Sequence, residues 1–226
     1  MSSWPANPEA LAAAQKALAA GLRPPPWQPP ARMTVGGSFA CLPLGEEGTG
    51  AAGDPVWAAA AAFRDGRCIG RATIRGVAGG PYIPGLLALR IGPSLEAAVR
   101  ELPVTLDVLL IDATGADHPR RAGLAVQLGA VLALPTVGVT HRTLMANGDW
   151  PPDEQGAISP LLVDDELVGY WLRTRAGLRP LAVHAGWRTD ADTAVHVVRA
   201  VARHRTPTPL REARRLARLA RAAGDL

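Results

Sequence analysis

Apolar residues recur along this chain in two rhythms, and the change from one to the other divides it. Residues 33–42 (MTVGGSFACL), 55–63 (PVWAAAAAF) and 67–75 (RCIGRATIR) are short strand-like runs separated by Gly-rich segments such as GEEGTGAAGD. That spacing predicts an antiparallel meander. Further on, SLEAAVREL predicts a helix and LDVLLIDA a fully buried parallel strand ending in an acid. RRAGLAVQLGAVLAL predicts a helix, PTVGVT another buried strand, and LVGYWLRT and PLAVHAG two more. Thr189-Asp190 caps a helix expected to run through Arg203. In LREARRLARLARAA, Leu210, Ala213, Leu216, Ala217 and Ala220 share one face and arginines the other. At the front, Asn7-Pro8-Glu9 opens the helix LAAAQKALAAGL, which Gly21 stops, and PPPWQPP (24–30) predicts a stiff extended connector. The order, strands first and then alternating helices and strands, predicts an α/β fold with a mixed sheet flanked by helices.

Composition narrows this picture. With 226 residues and 48% hydrophobic content, the chain has material for one domain with a full core. Residues 1–30 form its helix and Pro-rich connector, and 31–226 its core with the basic C-terminal helix. No apolar run reaches the roughly 18 residues of a membrane span, and MSSWPANPEA lacks the charge-then-apolar layout of a secretion signal. A cytoplasmic monomer without membrane contact is the expectation. Cys41 and Cys68 stand apart from any metal-ligand spacing and read as buried thiols. Lys16 is the only lysine, so the arginine excess reflects codon usage of a GC-rich genome; the net charge of +4 permits a nucleic-acid partner without demanding one.

In open α/β sheets ligands gather beyond the carboxyl ends of the parallel strands, which directs attention to IDATGADHPRRAG. Asp112 ends the strand, and Asp117, His118, Arg120 and Arg121 crowd the entrance to the next helix. Two arginines at a helix N-terminus suit a phosphate; the alternative is that these groups only cap and brace the turn. The segment Pro81-Tyr82-Ile83-Pro84-Gly85 is a proline-braced turn around one aromatic ring, either a rigid scaffold or a device that inserts Tyr82 into a partner.

These residues carry a resemblance. PYIPGLLALR, a buried strand ending in Asp112, HPRR and PTVGV together resemble the endonuclease V family, from about Pro81 to TPTPLREARRLA and more faintly back to Met33. The resemblance implies a ribonuclease H-like fold and a nuclease that incises nucleic acid near hypoxanthine, using Mg²⁺ held by carboxylates. Tyr82 matches the family's wedge, and Gly85 and Leu87 its base-reading turn. His118, Arg120, Arg121 and Arg188 complete the implied nucleic-acid contacts. Asp112 matches a metal-binding, catalytic acid. By the same resemblance Gly36 stands for an aspartate, Ile91 for a glutamate, Trp187 for the histidine of a GHR motif, His141 for a lysine and Ala113 for a glycine.

Three readings follow. The first is an endonuclease V-like protein impaired in catalysis that still binds single- or double-stranded nucleic acid, with no cofactor. The second is an active, Mg²⁺-dependent repair endonuclease rebuilt around Asp112 with Glu96, Asp117, His118, Asp190 or Asp192 as substitute ligands. The third is a fold recruited for small-molecule chemistry or protein interaction, its cleft relined by Ile91 and Trp187. The arginine face of the last helix, Arg211, Arg214, Arg215, Arg218 and Arg221, tracks a phosphate backbone or is simply solvated.

Overall fold

Ala58 to Ala62 form the middle of strand β2 (Pro55–Arg64) and are all fully buried. Five small side chains in a row abolish the alternation of a half-exposed strand because both faces of this strand are covered. On one face Ala58, Ala60 and Ala62 pack in a cluster with Leu95 and Ala98; on the other Ala59 packs with Trp57, Cys41 and Ala217. The computed structural model describes residues 4–21, 25–44 and 48–224. Around β2 its elements are α1 (Pro8–Ala20), β1 (Thr34–Cys41), β3 (Arg67–Val77), α2 (Leu87–Arg100), β4 (Val108–Ile111), α3 (Leu124–Leu132) and β5 (Thr136–Thr140). They continue as β6 (Ile158–Val163), β7 (Glu166–Leu172), β8 (Leu181–Ala185), α4 (Ala191–Val201) and α5 (Thr208–Gly224).

The eight strands form one mixed sheet in the order β3-β2-β1-β4-β5-β8-β7-β6. Only β1–β4 and β4–β5 are parallel; β5–β8, β8–β7 and β7–β6 are antiparallel. The predicted meander is present at one side, and a second antiparallel block replaces the expected run of parallel strands at the other. Strand β6 escapes the sequence pattern because Pro160 interrupts it and half of its residues are exposed. An edge position tolerates both.

The helix expected over SLEAAVREL begins seven residues earlier, at Leu87, and runs through Pro93. Interior proline normally breaks a helix. Pro93 leaves the Leu89 carbonyl without its helical donor, and beside it α2 is tied to neighbouring loops: Gly79 donates its backbone N–H to the Arg90 carbonyl at 3.3 Å, and the buried Arg90 guanidinium donates to Gly80 O at 2.8 Å and to Asp54 at 2.8 Å. This tie fixes the start of the PYIPG segment against α2. Helix α5 crosses the other face of the sheet, and Gly37 makes room for it, because a Cβ there would run into the backbone of Pro209 and Leu210. No helix among the described residues is long and apolar enough to cross a membrane.

Candidate nucleic-acid interface

The carboxyl ends of β4 and β5, the PYIPG turn and the inner face of α1 enclose a cavity of about 200 Å³. Its wall brings together Tyr82, Gly85, Leu87, Asp112, Ala113 and His118, all singled out from sequence, and adds Gln15, Gln127 and Leu144. Tyr82 is 46% exposed at the rim, and its backbone N–H donates to Thr49 O at 2.7 Å.

Gly85 is the hub of this wall. Its φ of +75° is a conformation that suits glycine, and it aims the carbonyl at three donors. Gln15 Nε2 donates at 3.0 Å, Arg120 Nη2 at 3.0 Å and His118 Nε2 at 2.9 Å. The Arg120 backbone N–H donates to His118 Nδ1 at 3.1 Å, which places the imidazole proton on Nε2. Burial holds His118 below the ordinary histidine range, against the opposing pull of its bond to Gly85. Gln15 closes the circuit by accepting from Arg120 Nε at 2.5 Å. A glutamine on the N-terminal helix thus locks the turn to the HPRR loop. Its signal in the sequence was a polar residue on the otherwise apolar face of LAAAQKALAAGL.

Asp112 also faces a second group. Arg214 on α5 donates to its Oδ2 twice, from Nη2 at 2.8 Å and Nε at 3.1 Å. The same guanidinium lies 3.3 Å from His141 Nε2 and donates to Thr206 Oγ1 at 3.3 Å, and its Cζ sits 5.6 Å from the centre of the Phe39 ring. His141 is pushed below its ordinary range, first by burial and then by Arg214 and Arg205, so it meets Arg214 as a neutral acceptor. Sequence reasoning left Arg214 among the outward arginines; it flanks the buried Ala213–Ala217 stripe, and the sheet lies against that flank.

Several expected positions fall elsewhere. Gly36 pairs with Leu109 and faces the Leu106 and Leu109 side chains, whereas Ser38, opposite Ile111, is the β1 residue beside the end of β4. Ile91 is buried in the apolar cluster around α2. Trp187 exchanges hydrogen bonds with Thr136, the first residue of β5, at the opposite end of the parallel strands from Asp112. Arg120 and Arg121 do not form a helix N-terminal anion site, because α3 starts only at Leu124 and both side chains have other partners. Arg121, at φ +53°, donates to Val163 O and pairs with Asp164 and Glu166. Arg188, at φ +55°, accepts from Trp27 N–H through its carbonyl and lies away from the pocket.

The substitute ligands are likewise engaged. Glu96 accepts from Trp4 and Arg100, Asp190 caps α4, and Asp192 accepts from Tyr170. Asp117 is wholly buried and accepts three backbone N–H bonds from Leu144, Met145 and Ala146, anchoring the loop after β5. Among the described residues no group of three or more His, Cys, Asp or Glu is placed to hold a metal ion.

Known proteins place this arrangement. The family profile for Endonuclease V matches residues 47–215. Endonuclease V of Roseiflexus castenholzii is 44% identical over 138 residues, a match spanning 61% of this chain and 62% of that protein. The crystal structure of endonuclease V from Streptomyces avermitilis superposes with a TM-score of 0.88 at 33% identity, covering 99% of this chain and 97% of the other. That of Ciona intestinalis endonuclease V, in complex with a 24mer DNA containing an inosine followed by a ribo-adenosine, shares the fold at 17% identity, with a TM-score of 0.80 and coverage of 93% and 96%. The sheet with its flanking helices is the ribonuclease H-like fold of these proteins, and the chain belongs to the endonuclease V family.

Proposed function

We propose that this protein binds nucleic acid containing a deaminated base, hypoxanthine, and does not hydrolyse the strand by the metal-dependent route of its family. The cavity of about 200 Å³ is smaller than the roughly 300–1,000 Å³ of drug-sized pockets and suits one flat ring system. Tyr82 stands at its rim where a ring can fill the gap that a flipped base leaves in the stack. The bound inosine-containing DNA of the Ciona intestinalis relative supports the choice of ligand.

The observation that carries the second half of the proposal is the double hydrogen bond from Arg214 to Asp112. Mg²⁺ requires near-octahedral oxygen ligation, with carboxylates supplying charge. Among the described residues at this corner the one carboxylate is paired with a guanidinium, and Ser38 donates its hydroxyl to Ala59 O at 3.3 Å. The described residues therefore do not fit the ion.

The test uses labelled single strands carrying one hypoxanthine, with Mg²⁺ or Mn²⁺, and reads both incision and retention. The expected result is retention without incision, weakened by Tyr82→Ala. Metal-dependent incision abolished by Asp112→Ala overturns the non-cleaving assignment, and equal retention of a guanine control overturns the base assignment.

A further inference from the structure

The cleft beside α5 has a volume of about 720 Å³ and is walled by Arg205, Arg211, Arg214, Arg215 and Arg218, with Glu212 the one acid among the described residues that line it. Glu212 is already paired with Arg71 and Arg215. Asp112 is the carboxylate that Arg214 engages, while Arg205 and Arg218 have no carboxylate partner among the described residues. Arg218 lies with its Cζ 6.0 Å from the same Phe39 ring that Arg214 faces. Arg205 donates from Nε to a backbone carbonyl, Arg179 O, at 2.8 Å. Burial first, and then Arg214 and Arg179, push its guanidinium below the usual arginine range. Arg205, Arg214 and Arg218 outnumber Asp112, so among the described residues this corner carries a surplus of positive charge. The long bonds from Arg214 to Thr206 and His141 leave N–H donors that a stronger acceptor can take over.

We propose that the Asp112 corner is an anion site, in which Arg214 and Arg218, with Arg205 behind them, receive a backbone phosphate and make strand binding independent of divalent metal. The guanidiniums supply the positive charge that a bound cation supplies elsewhere, and Asp112 holds the Arg214 fork in place. This rests on the reading that the pocket face holds a strand, and it adds where the sugar-phosphate backbone runs: from the cavity at Tyr82 past Asp112 and along α5.

The experiment measures fluorescence anisotropy of a labelled hypoxanthine strand and its guanine twin at matched ionic strength, in EDTA and in Mg²⁺. Both strands are expected to bind in EDTA, with Kd changed less than about twofold by Mg²⁺. Arg214→Gln and Arg218→Ala should each weaken both strands about five- to tenfold at low salt and reduce the salt slope by about one. Arg218 is exposed, so its variant tests the site without disturbing the fold; a thermal melt checks Arg214→Gln. The proposal is overturned if binding requires Mg²⁺, if neither strand binds in EDTA, or if both variants bind like the parent protein. Loss of hypoxanthine preference alone, with arginine-dependent binding intact, sinks the base assignment and leaves the anion site standing.

Discussion

The base-sized pocket and the Asp112 corner adjoin at the same end of the sheet and share one aspartate, yet their polar groups work in opposite ways. In the pocket, donors converge on a neutral carbonyl: Gln15, His118 and the Arg120 guanidinium all bind Gly85 O, and the geometry of a turn is the product. At the corner, charges converge on a charge, and the product is an electrostatic field with a surplus of guanidinium. One half of the interface is built for shape and the other for sign. Under the proposed function, recognition of the base can therefore be altered in one half while the other still holds the strand.

The largest separation between the two regions is expected in acid. His184 lies buried beneath the pocket side, its Nε2 2.8 Å from Thr140 Oγ1 and its Nδ1 3.7 Å from Asp117. Burial holds it well below the roughly 6.5 of an unfolded histidine, with Asp117 opposing. The folded value is the lower one, so its contribution is complete above about pH 6.5 and is lost as pH falls towards the folded value, with a slope of up to about 1.4 kcal/mol per pH unit. Glu212, which pins α5, is held down to about 2, chiefly by its bond to Arg215. Its contribution is complete above about pH 4.5 and lost only as pH falls towards 2. Between pH 6.5 and 4.5, amide protection factors in β8 and residues 144–146, corrected for the intrinsic exchange rate at each pH, should fall by up to about tenfold per unit while those of α5 hold; His184→Gln should flatten that dependence.

Next in size is Gly85→Val. A β-branched side chain at φ +75° is strained by about 1–2 kcal/mol, and its Cβ would sit 3.3 Å from Arg120 Nη2. Hypoxanthine preference should fall at least tenfold while binding of the guanine strand holds, as anisotropy would show. Gln15→Ala removes one of three donors to Gly85 and should reduce the preference about fivefold without changing the salt slope. A changed slope would mean that the two regions are not separable. The smallest effect is Asp112→Asn, which releases Arg214 and should tighten both strands two- to threefold in EDTA; weaker binding would show that the carboxylate's hold on Arg214 matters more than its charge.

Much of the pocket was legible because a turn and a loop motif each declare their geometry locally. Pro81 to Gly85 specify a turn, and LDVLLIDA a buried strand whose end carries Asp112. The corner was not legible, because it is made by register. Nothing in TVGGSFA tells Gly36 from Ser38 as the neighbour of the β4 terminus; the pairing of Ser38 with Ile111 does. Nor does a helix with arginines on most of its surface reveal that Arg214 turns towards the sheet when Arg211 does not. The second antiparallel block was hidden for a related reason: β7 and β8 read as apolar runs in either direction, and Pro160 masked β6.

The tether from Gln15 to Gly85 has a consequence for how this interface is transferred or inherited. Helix α1 lies wholly before residue 47, where the match to the family profile begins, yet it completes the circuit that holds the most recognisable loop of that family. A chimaera given the PYIPG and HPRR segments of this chain on another relative's first helix would carry the motif without the latch. Under the proposed function, two proteins identical throughout PYIPG and HPRR can then differ in ligand preference through a helix that lies outside both segments.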